Sequence, residues 1–478
     1  MKTAQEYIDE TPSWSDGTRT PTAPLTTMQF RIFSLACAGK FFEGMVVFMT
    51  GVALPLIMIE FGLGAADAGL VTAASLAGIL VGATALGGLA DLVGRKKMFI
   101  AEMVIFVMFL VALTFSPNFP LLVFFLFGAG VALGCDYPTA HVVISESIAS
   151  TTRGRLVLTA FAFQAVGAFS GSLLGFIILH QNGAVESWRW MYGVAVVPAV
   201  LVVIGRFFVT ESPHWLVARG RILEAERAVL SLLRRDPEYP KEVRLKHPHE
   251  GKKKKPSHYG ALFHKKNLRA TILSSVPWFL QDLGTYGIGI FTPTILSAML
   301  GHERPGHSLS DVIHNDMLAA KGSAVMDIFF FAGIVAAILL VERFGRIRLQ
   351  IVGFIGCAAG LAMAALSIRP DGSNDMILLF IGFTLFYFMT NLGPNAMTYL
   401  LAGEVFPTHI RGKGAGLAAS VAKVGAVLTA FLFPILLKSM GTGPLLLLLV
   451  IASILGAVVT WLFAIETTGR NLETFDQE

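Results

Sequence analysis

The sequence predicts an all-α membrane protein whose twelve transmembrane helices form two pseudo-symmetric six-helix bundles. Three observations predict it. Apolar runs of about 20 residues, each long enough to cross a ~30 Å hydrocarbon core, recur from end to end. The connections between them alternate between basic and nearly uncharged. Short motifs from the first half return, in the same order, in the second.

Composition supports the first point. Of 478 residues, 54% are hydrophobic and only 14% charged, whereas soluble domains carry roughly 25% charge. A mean hydropathy of +0.67 agrees. Residues 1–27 are polar and lack the basic, apolar, small-residue order of a signal peptide, so the first apolar run is expected to remain as an anchor. Cys37, Cys135 and Cys357 all fall inside apolar runs. An odd, intramembrane set argues against a disulfide framework or a metal cluster.

The candidate spans are 31–58, 67–90, 98–116, 120–145, 155–180, 188–210, 269–300, 320–341, 348–368, 376–402, 412–438 and 442–464. They are helices because lipid leaves no backbone polar group unpaired, and the alternation of a β-barrel is missing. Arg95, Lys96 and Lys97, then Arg153 and Arg155, then Arg343, Arg346 and Arg348, then Arg411 and Lys413 lie on every second connection. The positive-inside rule therefore places both termini and the central segment in the cytoplasm. The expected organisation is a tail (1–30), a six-helix bundle (31–210), a linker (211–268), a second bundle (269–464) and a tail (465–478). Within the linker, Ile222, Ala225, Val229, Leu232 and Leu233 recur at helical spacing and predict one surface helix. The Lys252–Lys255 run reads as a contact to solvent or lipid headgroups.

Three patterns occur twice, about 255 residues apart. Asp91-Leu-Val-Gly94-Arg95 is matched by Glu342-Arg343-Phe-Gly345-Arg346. Glu146 precedes Arg153-Gly154 by seven residues, and Glu404 precedes Arg411-Gly412 by the same seven. Glu211-Ser-Pro closes the first half and Glu466-Thr-Thr closes the second. Such repetition on one side of the membrane marks an internal repeat, and two parallel six-span halves suit an alternating-access carrier with its site at the midplane. These motifs resemble the major facilitator superfamily, specifically its sugar-porter-like branch, over nearly the whole chain. The resemblance implies the major facilitator fold. Asp91, Arg95, Glu146, Arg153, Glu211, Arg346, Glu404, Arg411 and Glu466 are then expected to form an inner-side latch, broken when the halves rock. Plain charge complementarity at helix ends is the other reading.

A charge deep in a span costs about 2.5–3.5 kcal/mol even on insertion scales, so it needs a partner or a purpose. Lys40 and Glu43 in span one, Asp136 in span four, Asp282 in span seven, Asp327 in span eight and Lys423 in span eleven are the candidates. Trp278, Asp282 and Tyr286 follow at i, i+4 and i+8, on one helical face. An indole donor, a carboxylate and a phenol facing Lys423 suit a small anion that carries protons. Dihydrogen phosphate accepts from Lys, Trp and Tyr and donates to Asp282, whereas sulfate meets that carboxylate with a second acceptor. A sugar has no need of the lysine. Structural readings stand beside these: Asp282 and Lys423 as a buried ion pair, Asp136 as a tie between spans one and four, His141 as a packing residue. Gly78, Gly82, Gly167 and Gly171 read as close helix packing.

A closer resemblance rests on Gly134-Cys135-Asp136-Tyr137-Pro138 with Ser145-Glu146, on Trp278, Asp282 and Tyr286, on Asn391-Leu-Gly-Pro-Asn395 and on Lys423-Val-Gly-Ala. It is to the phosphate:proton symporters. That resemblance implies that Tyr137, Gln164, Trp278, Asp282, Tyr286, Asn395 and Lys423 line the substrate site and that Asp136 carries the coupling proton. The chain departs from the family in span one, where Lys40-Phe-Phe-Glu43 replaces an acidic stretch. Glu43 is the candidate replacement acid, and Lys40 is an added cation.

The expected function is proton-coupled symport of a small anion, inorganic phosphate first, by a chain active as a monomer in a plasma or inner membrane. The alternatives are a carrier of another solute (an organic acid or a sugar) and a membrane sensor without flux. No nucleophile–base set, metal spacing or phosphate loop points to an enzyme, and no cofactor, metal or nucleic-acid partner is expected.

Overall fold

The computed structural model describes residues 2–10, 25–86, 89–181, 183–235, 240, 242–246, 259–300, 309–368, 375–407 and 410–467; for Leu86, Asp91, Tyr137, Thr151, Gly154, residues 297–300 and Leu309 it describes backbone alone. The Lys252–Lys255 run lies outside these residues.

Long helices account for almost all of it. The first half holds α1 (Ala4–Asp9), α2 (Thr27–Phe61), α3 (Ala65–Val81, continued by a π-turn over Gly82–Leu86), α4 (Leu89–Val93), α5 (Arg95–Thr114), α6 (Phe119–Ser147), α7 (Ser150–Gln181) and α8 (Ser187–Phe207). Two helices, α9 (Pro213–Ala218) and α10 (Ile222–Leu233), lie in the linker. The second half holds α11 (Lys265–Leu300), α12 (Leu309–Phe344), α13 (Arg346–Leu366), α14 (Met376–Leu392), α15 (Pro394–Glu404), α16 (Arg411–Met440) and α17 (Thr442–Leu462).

Among the described residues, eleven helices are both long and apolar enough to cross a membrane, α14 and α15 counting as one broken span. Span seven, α11, has the length but is diluted by Trp278, Gln281, Asp282, Thr285 and Tyr286. Its polarity is the price of carrying part of the site. Span eight starts at Leu309, eleven residues before its apolar run. Span ten breaks where Pro394 cannot donate and Gly393 turns out of the helix (φ −116°, ψ −94°).

The expected surface helix is α10, which buries Ala225, Val229, Leu232 and Leu233. The first tail carries more structure than its polarity suggests. Helix α1 is capped by Thr3 and Glu6, and Asp9 accepts from the Ser150 N–H at 2.7 Å and hydroxyl at 2.9 Å, capping α7. Thr26 donates to the Leu232 carbonyl (2.6 Å), tying α2 to α10.

Within each half, neighbouring backbones touch. Gly78 faces the Phe127 carbonyl and Gly167 the Phe41 carbonyl, with no room for a side chain. Between the halves, α3 meets α16, α7 meets α12, and α2 meets α11. These contacts concentrate away from the basic loops. Thr72 donates to the Ala430 carbonyl (2.8 Å), Gly51 sits against the Ile290 carbonyl, and the Ser172 hydroxyl donates to Asp327 Oδ2 (2.7 Å). Towards the basic loops, a Phe161–Tyr399 stack (centroids 4.7 Å apart) bridges α7 and α15. The outer face is thus closed by backbone contact and the inner face by a ring pair.

Asp327 is 1% exposed and receives that one Ser172 bond across the interface. Ser172→Ala leaves the buried carboxyl without it and is expected to lower stability by about 1–3 kcal/mol. Thermal unfolding in detergent checks this; an unchanged midpoint removes Asp327 from the interface.

Candidate functional site

The basic loops repeat in space as they do in sequence. Gly94 (φ +114°) and Gly345 (φ +83°) hold a left-handed conformation that a side chain strains, each just before the arginine that opens α5 or α13. Glu211 accepts from the Lys96 N–H (3.0 Å), and Glu466 from the Arg346 N–H (3.1 Å). Each carboxylate thus sits at the positive end of a helix. Arg95 Nε and Arg346 Nε reach Glu146 and Glu404 at 3.2 and 3.3 Å. The Ser212 and Thr467 hydroxyls donate to those same glutamates, both at 2.5 Å.

These ion pairs lie within one half, not between halves. That corrects the expected latch: rigid rocking does not of itself break them, and they instead pin neighbouring helix ends inside each bundle. Arg411 Nε donates to the Phe406 carbonyl (3.1 Å). Arg153 lies within electrostatic reach of His141 and His214. The side chain of Asp91 is outside the described set.

Midway along the bundle, charged and polar side chains from both halves converge. Glu43 (3% exposed) takes Lys40 on Oε2 and Lys423 on Oε1, the latter at 3.3 Å. Lys423 donates to the Tyr286 hydroxyl (2.6 Å), as does Gln164 (3.2 Å), and Tyr286 donates to Glu43 (3.3 Å). Asp282 stands 3.9 Å from Lys423, and its Oδ2 has no hydrogen-bond partner. Glu43, rather than Asp282, is therefore the closer counter-ion of Lys423.

Asn395 belongs to a neighbouring amide relay. Gln281 donates to Asn395 Oδ1 (3.1 Å) and to Thr285 (2.6 Å), and Asn395 donates to Asn391 (2.5 Å). Trp278 packs edge-on to Tyr399, centroids 6.3 Å apart. Of the expected lining residues, Gln164, Asp282, Tyr286 and Lys423 thus meet around Glu43. Asn395 and Trp278 flank them, and the Tyr137 side chain is not described.

Asp136 does not sit with Asp282 and Lys423. Its Oδ1 lies 2.6 Å from Arg206, which also reaches Glu102 at 3.3 Å and the Phe99 carbonyl at 2.6 Å. Arg206 is 0% exposed and covers the Phe99 ring at 3.5 Å. Two carboxylates here face one guanidinium, so the trio carries net charge −1 unless it holds a proton. Asp136 still borders a cavity of about 20 Å³ together with Lys40, Glu43, Phe161 and Tyr399, on the basic-loop side of the network. That is room for about one water molecule, so a larger guest requires the halves to part.

Glu102 and Arg206 were hidden in the sequence because each lies near the end of an apolar run, where a charge is ordinarily wet. Packing of α2, α5, α6 and α8 is what buries them. Gln281 and Tyr399 were missed because an uncharged polar residue in a span carries little warning.

The sequence model of the family described as "Sugar (and other) transporter" matches residues 5–478. The putative metabolite transport protein YaaU of Escherichia coli (strain K12) is 30% identical over 449 residues, 92% of this chain and 93% of that protein. The glucose transporter GlcP of Staphylococcus epidermidis is 27% identical over 94% of this chain and 97% of its own. Among solved structures, a partially occluded inward-open form of the xylose transporter XylE from E. coli superposes with a TM-score of 0.74 at 19% identity. It covers 93% of this chain and all of its own. Twelve helices in two related bundles, a midplane polar network and a family match along the whole chain agree: this multi-pass membrane protein belongs to the sugar (and other) transporter family of the major facilitator superfamily.

Proposed function

We propose that the chain is a proton-coupled carrier of a small, hydroxylated organic solute, working as a monomer by alternating access. The observation that carries this reading is the midplane network contributed by both halves. Gln164, Gln281 and Asn395 offer amides for hydroxyl groups, and Trp278, Tyr399 and Phe161 offer ring faces for C–H surfaces. GlcP and XylE, whose names specify glucose and xylose, lend support at the level of solute class. In this reading Gln164, Trp278, Asp282, Tyr286, Asn395 and Lys423 bind the solute, and Glu43 and Asp136 exchange the proton. The clusters around Arg95–Glu146–Glu211 and Arg346–Glu404–Glu466 keep each half rigid while it rocks.

The second reading is a small inorganic anion such as dihydrogen phosphate. The pair of lysines on Glu43 favours it.

The test is uptake into proteoliposomes under an imposed inward proton gradient, with labelled glucose, xylose, a sugar acid and phosphate offered separately. Gradient-driven accumulation of a hydroxylated organic solute is the expected result. Accumulation of phosphate alone overturns the first reading in favour of the second, and binding without flux under any gradient points to a sensor.

A further inference from the structure

The two lysines at the centre need a reason. A neutral polyol is held by amides, hydroxyls and rings, all of which the site already offers. Yet Lys40 of α2 and Lys423 of α16, one from each half, converge on the two oxygens of a single carboxylate, Glu43. The lysine side chains are 12% and 14% exposed while that of Glu43 is 3% exposed, so the carboxylate is the most enclosed member of the three. Lys40 borders the small cavity beside Phe161 and Tyr399. Each ammonium also leans on a ring: Lys423 lies 4.5 Å from the Tyr286 centroid and Lys40 lies 5.5 Å from that of Phe161.

We propose that Glu43 holds the place of a substrate carboxylate, and that the transported solute is a hydroxylated carboxylic acid of the hexonate or hexuronate kind. This rests on the reading of the chain as a carrier of a hydroxylated organic solute. The solute's carboxylate takes Lys40 and Lys423, and its hydroxyls meet the Gln164, Gln281 and Asn395 amides. Its C–H face lies on Tyr399 and Trp278.

Charge counting supplies the coupling. With Lys40, Lys423, Glu43 and Asp282 all ionised the network is neutral. An entering carboxylate adds one negative charge to a low-dielectric site, where an uncompensated charge is costly. One proton from the same aqueous side, placed on the Glu43 carboxylate as it loses its lysines, restores neutrality. Solute and proton then leave together, and Glu43 recaptures both ammonium groups. Asp282, itself 3.9 Å from Lys423, argues against a dianion, because a doubly charged acceptor on that lysine would confront its carboxylate.

The experiment is equilibrium binding to the purified full-length protein, by calorimetry and ligand-induced thermal stabilisation, with galacturonate, gluconate, glucose and inorganic phosphate as probes. A sugar acid is expected to bind at least about tenfold more tightly than glucose. K40Q is expected to lose about tenfold or more for the acid while changing glucose binding by less than about threefold, and K423Q to lose at least about threefold more affinity for the acid than for glucose. E43Q is expected to bind the acid with its dependence on pH weakened, Asp136 remaining on the same cavity. Glucose binding as tightly as the acids, or equal losses for both in the lysine variants, overturns the proposal and leaves the carrier reading standing. Phosphate binding more tightly than either sugar acid overturns it in favour of the inorganic anion. Failure of all organic probes, with the protein folded by its unfolding transition, overturns the carrier reading as well.

Discussion

Arg206→Met is expected to be the most damaging single substitution in the membrane core, lowering stability by about 3–5 kcal/mol. The guanidinium is fully buried and compensates Asp136 at 2.6 Å and Glu102 at 3.3 Å. It also donates to the Phe99 and Leu35 carbonyls at 2.6 and 3.2 Å. Removing it leaves two buried carboxylates without their counter-ion, and no other described lysine or arginine forms an ion pair with either. The methionine fills the volume, so the loss isolates charge from packing. Adding Glu102→Gln should restore much of the loss, because it removes one of the two orphaned charges. Thermal unfolding of the purified single and double variants reads both. A single variant within about 1 kcal/mol of the parent means that the trio does not exist as described.

Gly51→Val should abolish transport while sparing the fold. The Ile290 carbonyl of the opposite half occupies the space that a Cβ on Gly51 needs, so the side chain can be accommodated only if α2 and α11 separate. Overpacking a tight contact costs about 1–3 kcal/mol. The cost falls only on the arrangement closed at the outer face, and about 3 kcal/mol shifts a two-state equilibrium by roughly two orders of magnitude. The carrier is then held open outward. Two measurements check this. One is uptake into proteoliposomes. The other is alkylation from outside of a cysteine introduced by Thr72→Cys, at the position where the native hydroxyl bonds the Ala430 carbonyl across the closed interface. The native Cys37, Cys135 and Cys357 are buried and contribute little background. Full transport with the introduced thiol still shielded rules out the wedge.

Much of the architecture was legible because lipid imposes it. A run of about 20 apolar residues has few fates other than a spanning helix, since backbone polar groups must pair within the segment. The repeat of Gly94-Arg95 as Gly345-Arg346, and of Glu146 and Glu211 as Glu404 and Glu466, foretold a structural repeat, and in both clusters an arginine pairs with one glutamate while a second accepts from the helix N-terminus. Which partner each charge chooses was not legible. The latch was expected to break with rocking, yet the Arg95–Glu146 and Arg346–Glu404 pairs each lie inside one half. Asp136 was expected beside Asp282 and Lys423, yet Arg206 holds it. Neither pairing has a local signature, because the partners are brought together from different helices.

By itself, then, the sequence determined the membrane class, the span count, the basic side and the charged residues deep within the apolar runs, each a consequence of transfer free energies that act residue by residue. Only the tertiary structure decided that Glu43 rather than Asp282 is the intimate partner of Lys423, that Lys40 shares it, and that the outer face is closed by backbone contact while the inner face is closed by a ring pair. Those outcomes depend on how far helix backbones approach, as at Gly51 and Ile290. In a low-dielectric interior a charge is settled by neighbours a few ångströms away, and those neighbours are chosen by packing across the two halves.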